Sequence, residues 1–163
     1  MWRRMRGLTL IEIAVGLAIM AVLASLAVPS FSERIARQRL ATTAEMLALD
    51  LAEARFEAAR SGQALHLVFA PGADWCYAVA RSPGCDCHTA QACQLKVVRA
   101  TDAPGVMLSE GRNASFDPAG VQAEGGAAVL TGVKGEHRLD VGLSALGRPR
   151  ICSPTGLRGY AGC

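Results

Sequence analysis

The sequence predicts an α+β fold: one long N-terminal helix whose second half packs on a small antiparallel β-sheet head. Three observations carry this. Residues 8–31 form an apolar run with a single charge, Glu12. A helical stripe of apolar residues continues from it to residue 61. After Gly62 the pattern changes to short strand-like runs, broken by Gly and Pro turns and punctuated by six cysteines. The 163 residues suit one domain plus an extra segment rather than two domains. The organisation that follows is a leader at 1–7, a transmembrane segment at 8–31 and a head at 32–163. Within the head, 32–61 is helical and 63–163 is β-rich.

The leader is Met-Trp-Arg-Arg-Met-Arg-Gly, with Arg3, Arg4 and Arg6. Net charge is +3, but without these three arginines 14 basic residues face 14 acidic ones. The basic balance therefore describes the leader and does not mark the whole chain as a polycation seeking nucleic acid. The run LTLIEIAVGLAIMAVLASLAVPSF is long enough, at ~1.5 Å per residue, to cross ~30 Å of hydrocarbon. Arginines before it and none within it place its N-terminus in the cytoplasm and the rest outside.

Three processing schemes compete for this segment. A cleaved secretory signal could use Ser25-Leu26-Ala27 as a small-x-small site, but it would carry a carboxylate inside an unusually long apolar region. A plain signal anchor gives Glu12 no purpose, although an ionisable group in a membrane segment costs about 2.5–3.5 kcal/mol or more unless paired. The third scheme is a leader cut after Gly7.

Beyond the apolar run, Leu40, Ala44, Leu47, Leu51, Ala54 and Ala58 recur at spacings of three and four, with charges between them. This stripe is expected to face the core of the head. A dimerising coiled coil is disfavoured by Ala-rich contact positions and too few heptads. Ser61-Gly62 stops the helix. One helix over 8–61 would be on the order of 80 Å long, with Pro29 loosening it locally.

The head then reads as strands at 64–69 and 75–80, a Cys-rich loop at 81–93, and further strands at 94–99, 106–109 and 114–116. The last of these runs into the Asp117-Pro118-Ala119-Gly120 turn. A late hairpin spans 129–133 and 137–143 around Gly135. Such short strands suit an antiparallel sheet covering one helix face.

All six cysteines, Cys76, Cys85, Cys87, Cys93, Cys152 and Cys163, fall in the head behind an export segment, which reads as a disulfide set in an oxidising compartment. Cys152 with Cys163 is the pairing expected first, because it staples a Gly-rich tail; the remaining connectivity is open. Cys85-Asp86-Cys87-His88 invites comparison with a zinc site, but Cys-x-Cys without a second matching pair is a poor template. No metal and no cofactor is expected. No nucleophile elbow, His-Glu-x-x-His or phosphate-cradling Gly loop occurs, and His66 lies within a strand, so no catalytic residues are expected. A membrane-anchored periplasmic enzyme is the outlying alternative.

From Val141 to Cys163 there are three arginines, Arg148, Arg150 and Arg158, and no acid. Gly147-Arg148-Pro149-Arg150 puts two guanidinium groups two residues apart on a segment that Pro149 keeps extended. Such a pair can grip successive phosphates of a nucleic acid strand, and the alternative is a solvated cationic turn.

The leader, Gly7, and Leu8-Thr9-Leu10-Ile11-Glu12 opening an apolar helix resemble the type IV pilin and type II secretion pseudopilin superfamily. Leu8 stands where that family usually has Phe, and Pro29 falls at its common helix-kinking position. The resemblance implies a pilin-like fold, cleavage between Gly7 and Leu8 by prepilin peptidase, methylation of the new amine, and assembly through Glu12. Trp75-Cys76-Tyr77, Cys85-Asp86-Cys87 and Phe116-Asp117-Pro118-x-Gly120 are similar to the GspH/FimT group of minor pilins. Gly147, Arg148 and Arg150 match the Gly-Arg-x-Arg motif that FimT-like members associate with DNA binding during uptake for natural transformation, and Arg158 is the third cation of that stretch. The implied partners are prepilin peptidase, other major and minor pilins, the inner membrane and double-stranded DNA. The implied location is the inner membrane with a periplasmic head, then the pilus. The alternative within the superfamily is an H-type minor pseudopilin of a type II secretion system with a purely structural role.

Overall fold

The computed structural model describes residues 9–163 apart from 120, 121, 125, 133, 134, 136 and 145; the side chains of 26–30 and 122–124 are also outside the description. Gly7 and Leu8 therefore lie outside the described residues. The chain divides into two compact units, one ending at Ile35 and one comprising Ala36–Cys163. Helix α1 is assigned over Leu10–Ser61. Its backbone is helical at position 29, while the Pro29 side chain is not among those described.

In the first unit, residues 9–25 are all exposed. Thr9 caps the helix. Its backbone N–H and hydroxyl donate to Glu12 Oε2 at 2.8 and 2.9 Å, and the Glu12 N–H donates back to Thr9 Oγ1 at 3.3 Å. This is a capping box, which satisfies backbone donors left open at a helix start. Among the described residues no helix is long and apolar enough to cross a membrane. The apolar run of the sequence includes Leu8 and 26–30, whose side chains are outside that description.

The second unit is built on the helical stripe. Leu40, Ala44, Leu47, Leu51, Ala54 and Ala58 are all buried, as their spacing predicts. The strands divide between two antiparallel sheets, where the sequence suggested a single covering layer. Strands β1 (Leu65–Ala70), β2 (Cys76–Ala80), β3 (Gln94–Arg99), β5 (Ala114–Phe116) and β6 (Gln122–Glu124) form one sheet in the order β3-β2-β1-β5-β6. Strands β4 (Val106–Arg112), β7 (Ala127–Gly132), β8 (Arg138–Leu143) and β9 (Pro149–Cys152) form the other in the order β4-β7-β8-β9. Gly111 lets the sheets meet closely: a Cβ there would lie 2.5 Å from the Cβ of Phe69.

The inner faces of both sheets and the helical stripe share one core, which includes Leu67, Trp75, Tyr77, Phe116, Leu130 and Leu139. The Trp75 indole N–H donates to the Val106 carbonyl at 2.9 Å, so its polar atom is satisfied inside that core. A second, smaller cluster covers the outer face of β2, with Val68, Cys76, Ala78, Ala80, Cys85 and Cys87. Every residue of β2 is consequently buried. The loop after β2 is too short and polar to supply an apolar core, and its cysteines do the covering instead.

Candidate nucleic-acid interface

The six cysteines are joined as Cys76–Cys87, Cys85–Cys93 and Cys152–Cys163. The first two interlace and fold the Cys-rich loop over β2. Cys76, Cys87 and His88 lie close together, but the two sulfurs are bonded to each other and so supply no thiolate to a metal. The loop is further tied by Asp86, which accepts from the His88 N–H at 2.9 Å and the Thr89 hydroxyl at 3.0 Å. These bonds, the His88 N–H foremost, hold the Asp86 carboxyl below the ordinary carboxylate range.

The third bridge shapes the C-terminal region. After β9 the chain turns and returns, so that Ala161 bridges Cys152 in parallel and its carbonyl accepts from the Ser153 N–H at 2.8 Å. The buried Ser153 hydroxyl donates to the Arg138 carbonyl at 3.1 Å and accepts from the Leu157 N–H at 2.9 Å. The tail thus covers the free edge of β9, a position that otherwise invites pairing with another chain.

The turn between β8 and β9 carries the Gly-Arg-Pro-Arg segment. The Ser144 N–H donates to the Arg148 carbonyl at 2.9 Å, and the Arg148 N–H donates to Ser144 Oγ at 3.1 Å. Gly147 adopts φ +69°, the left-handed conformation that closing this turn requires. Arg148 is therefore the last residue of the turn, and the strand begins at Pro149 rather than including both arginines. Arg148 and Arg150 are both exposed, separated only by Pro149, and Arg150 pairs in register with Gly142 of β8. Arg158 is exposed on the separate turn before Tyr160, and no strand register ties it to the other two among the described residues.

Two features of the surface escaped the sequence. Leu49 and Phe56 on α1 are exposed, opposite the buried stripe; their seven-residue spacing was the available signal. Arg112 ends β4 on the same sheet as Arg150, and only the strand register reveals that relationship.

Residues 2–28 match the family described as the prokaryotic N-terminal methylation motif, and residues 43–147 match the family described as type II transport protein GspH. No curated protein sequence matches. The fold is similar to the crystal structure of the type IV minor pilin FimU of Pseudomonas aeruginosa, with a TM-score of 0.53 at 19% identity, over 74% of this chain and 91% of that one. A second crystal form of FimU gives a TM-score of 0.48 at 17% identity, over 68% and 90% of the respective chains. At such identity the likeness to FimU is one of fold. The GspH match covers the greater part of the chain, the methylation motif sits at its start and the head has the α+β form of a pilin: the chain belongs to the GspH family, within the pilin and pseudopilin superfamily.

Proposed function

We propose that this protein is a minor type IV pilin of FimT type whose head contacts double-stranded DNA during uptake. Prepilin peptidase cuts between Gly7 and Leu8, the apolar segment holds the chain in the inner membrane with its head in the periplasm, and assembly with other major and minor pilins draws it into the pilus. Glu12 neutralises the Leu8 amine of a neighbouring subunit during that assembly. Arg148, Arg150 and Arg158 supply the cations that meet DNA.

The observation that carries the DNA contact is the closed β8–β9 turn. It exposes two arginines on either side of Pro149, and the strand after them is locked by the Cys152–Cys163 bridge. Backbone held in place before binding lowers the ordering cost of a phosphate contact, and guanidinium groups are well shaped for phosphate oxygens. Two or three such contacts give weak, salt-sensitive and sequence-independent affinity, which several copies in a fibre would reinforce. Fluorescence anisotropy with the full chain in nonionic detergent and a labelled DNA duplex tests this. Arg148→Ala combined with Arg150→Ala is expected to abolish binding without changing the melting temperature, and unchanged affinity refutes the contact.

The description of the matched family, type II transport protein, supports a second reading: an H-type minor pseudopilin of a type II secretion system, with a structural role. Deleting the gene separates the two, since loss of exported protein points to secretion and loss of pili or of DNA uptake points to the pilus.

A further inference from the structure

Strand register places four residues in one row across the four-stranded sheet. Arg112 of β4 pairs with Ala127 of β7, Ala127 with Gly142 of β8, and Gly142 with Arg150 of β9. Directly opposed residues of antiparallel strands point to the same side. The neighbouring positions Ala128 and Val141 are buried in the core, so the row faces outward. It consists of an arginine at each edge and the two smallest side chains between them. Three strand spacings separate the terminal Cα atoms by about 14 Å.

The middle of the row is open. Gly142, Arg150 and Ala127 line a groove together with Asp140, Cys152 and the tail residue Ala161. A Cβ at Gly142 would meet nothing closer than the Gly126 carbonyl at 4.0 Å. Acids on this face lie in the next row, where Glu110 pairs with Val129 and Val129 with Asp140. Asp140 is gripped by Arg138 through two bonds of 2.6 and 2.9 Å, and the charge of Glu110 acts on that same arginine. Arg138 thus offsets one of these two carboxylates, and on this face the three arginines Arg112, Arg138 and Arg150 outnumber the acids Glu110 and Asp140 by one. Arg148 closes the β8–β9 turn at the same end of the sheet.

We propose that Arg112 and Arg150 are the two ends of a phosphate-backbone cradle, and that duplex DNA lies along the Arg112–Ala127–Gly142–Arg150 row. This rests on the DNA reading above and adds Arg112, Ala127 and Gly142 to it. The flat Ala-Gly floor lets a sugar-phosphate chain approach the sheet, while a cation at each edge takes one phosphate. A floor without hydrogen-bonding side chains provides no base readout, so the contact is independent of sequence.

The test uses the full chain in nonionic detergent, a labelled duplex of arbitrary sequence and a salt series. Arg112→Ala is expected to weaken binding several-fold and to reduce the slope of log affinity against log salt by about 0.9, the share of one phosphate contact. Arg112→Lys is expected to keep the slope. Gly142→Glu, which the open floor admits, is expected to abolish binding, and Ala127→Asp is a second route to the same loss if Gly142→Glu lowers the melting temperature. Unchanged affinity and slope for Arg112→Ala, beside loss of binding for the Arg148→Ala, Arg150→Ala double variant, overturn the cradle and leave the turn contact standing. No binding by the unaltered chain overturns both.

Discussion

The hydroxyl of Tyr77 donates to the carboxylate of Asp50 across 2.8 Å, tying the second strand of the five-stranded sheet to the helix behind it. Both residues are buried, and Asp50 also receives the Lys96 ammonium at the edge of the core. A buried carboxylate is tolerated only when hydrogen-bonded and paired, and here two strands supply the partners. The contact fixes the position of α1 along the sheet more narrowly than apolar packing alone.

The same contact makes stability fall at alkaline pH. Burial first, and then the Asp50 charge, push the Tyr77 pKa far above its ordinary value. The folded chain keeps this proton while the unfolded chain sheds it above pH ~10. The stabilisation is therefore complete below pH ~10 and declines above it, by at most ~1.4 kcal/mol per pH unit. Urea unfolding of the full chain in detergent between pH 8 and 11 is expected to show this slope, and Tyr77→Phe is expected to reduce it to the share of Tyr160, whose pKa is pushed up to about 12 by burial and its bond to Glu45. At pH 7 the same substitution is expected to cost about 1.5–3 kcal/mol, the usual range for a hydrogen bond to a charged group.

Removal of the Cys152–Cys163 bridge tests the tail as a cover for the sheet edge. The two residues are separated by 11 positions, and a loop of that length stabilises by about 3 kcal/mol in the chain-entropy account. Cys152→Ser with Cys163→Ser is expected to lower the unfolding free energy by about 2–3 kcal/mol. Hydrogen exchange is expected to accelerate at the Ser153 amide, which the Ala161 carbonyl protects. Amides of the β2–β1 pairing, on the other sheet, are expected to keep their protection.

The helix and most strands were legible because their signals are local. The buried stripe from Leu40 to Ala58 follows helical spacing, and the strands around Leu67 and Tyr77 are bounded by Gly and Pro turns. β6 was not legible, since Gln122–Glu124 is three residues long and its ends are polar. The division into two sheets was hidden because strand partners are chosen by contacts distant in sequence. The pairings Cys76–Cys87 and Cys85–Cys93 depend on how the loop folds over β2, which spacing leaves open. At the candidate interface, Gly147, Arg148 and Arg150 formed a readable segment, whereas Arg112 joins Arg150 only through three successive strand pairings.

Two phenylalanines separate core from surface quantitatively. Phe116 is fully buried, while Phe56, on the outer side of α1, is 68% exposed. Phe116→Ala is expected to cost about 3–5 kcal/mol, through lost burial and the cavity left behind. Phe56→Ala is expected to stay within about 0.5 kcal/mol in the dispersed subunit. Chemical denaturation of both variants in parallel checks the contrast, and a large cost at Phe56 would mean that this face is covered by the protein itself.

Glu12 completes the capping box, the proposed assembly gives it a second duty, and two substitutions distinguish them. Its carboxylate completes the capping box with Thr9, and its charge is assigned to pairing with the amine of a neighbouring Leu8. Gln can occupy the same place in a capping box, because its side-chain oxygen also accepts from the cap N–H. Glu12→Gln is thus expected to keep the helix start and to lose the charge. Glu12→Ala loses both the charge and the return half of the box, while the Thr9 hydroxyl still caps the helix. If charge pairing drives assembly, both variants insert in the membrane and both are depleted from sheared fibres to the same degree, as measured by blotting. Normal incorporation of Glu12→Gln, with depletion confined to Glu12→Ala, would assign the role of Glu12 to the cap and remove the amine from the mechanism.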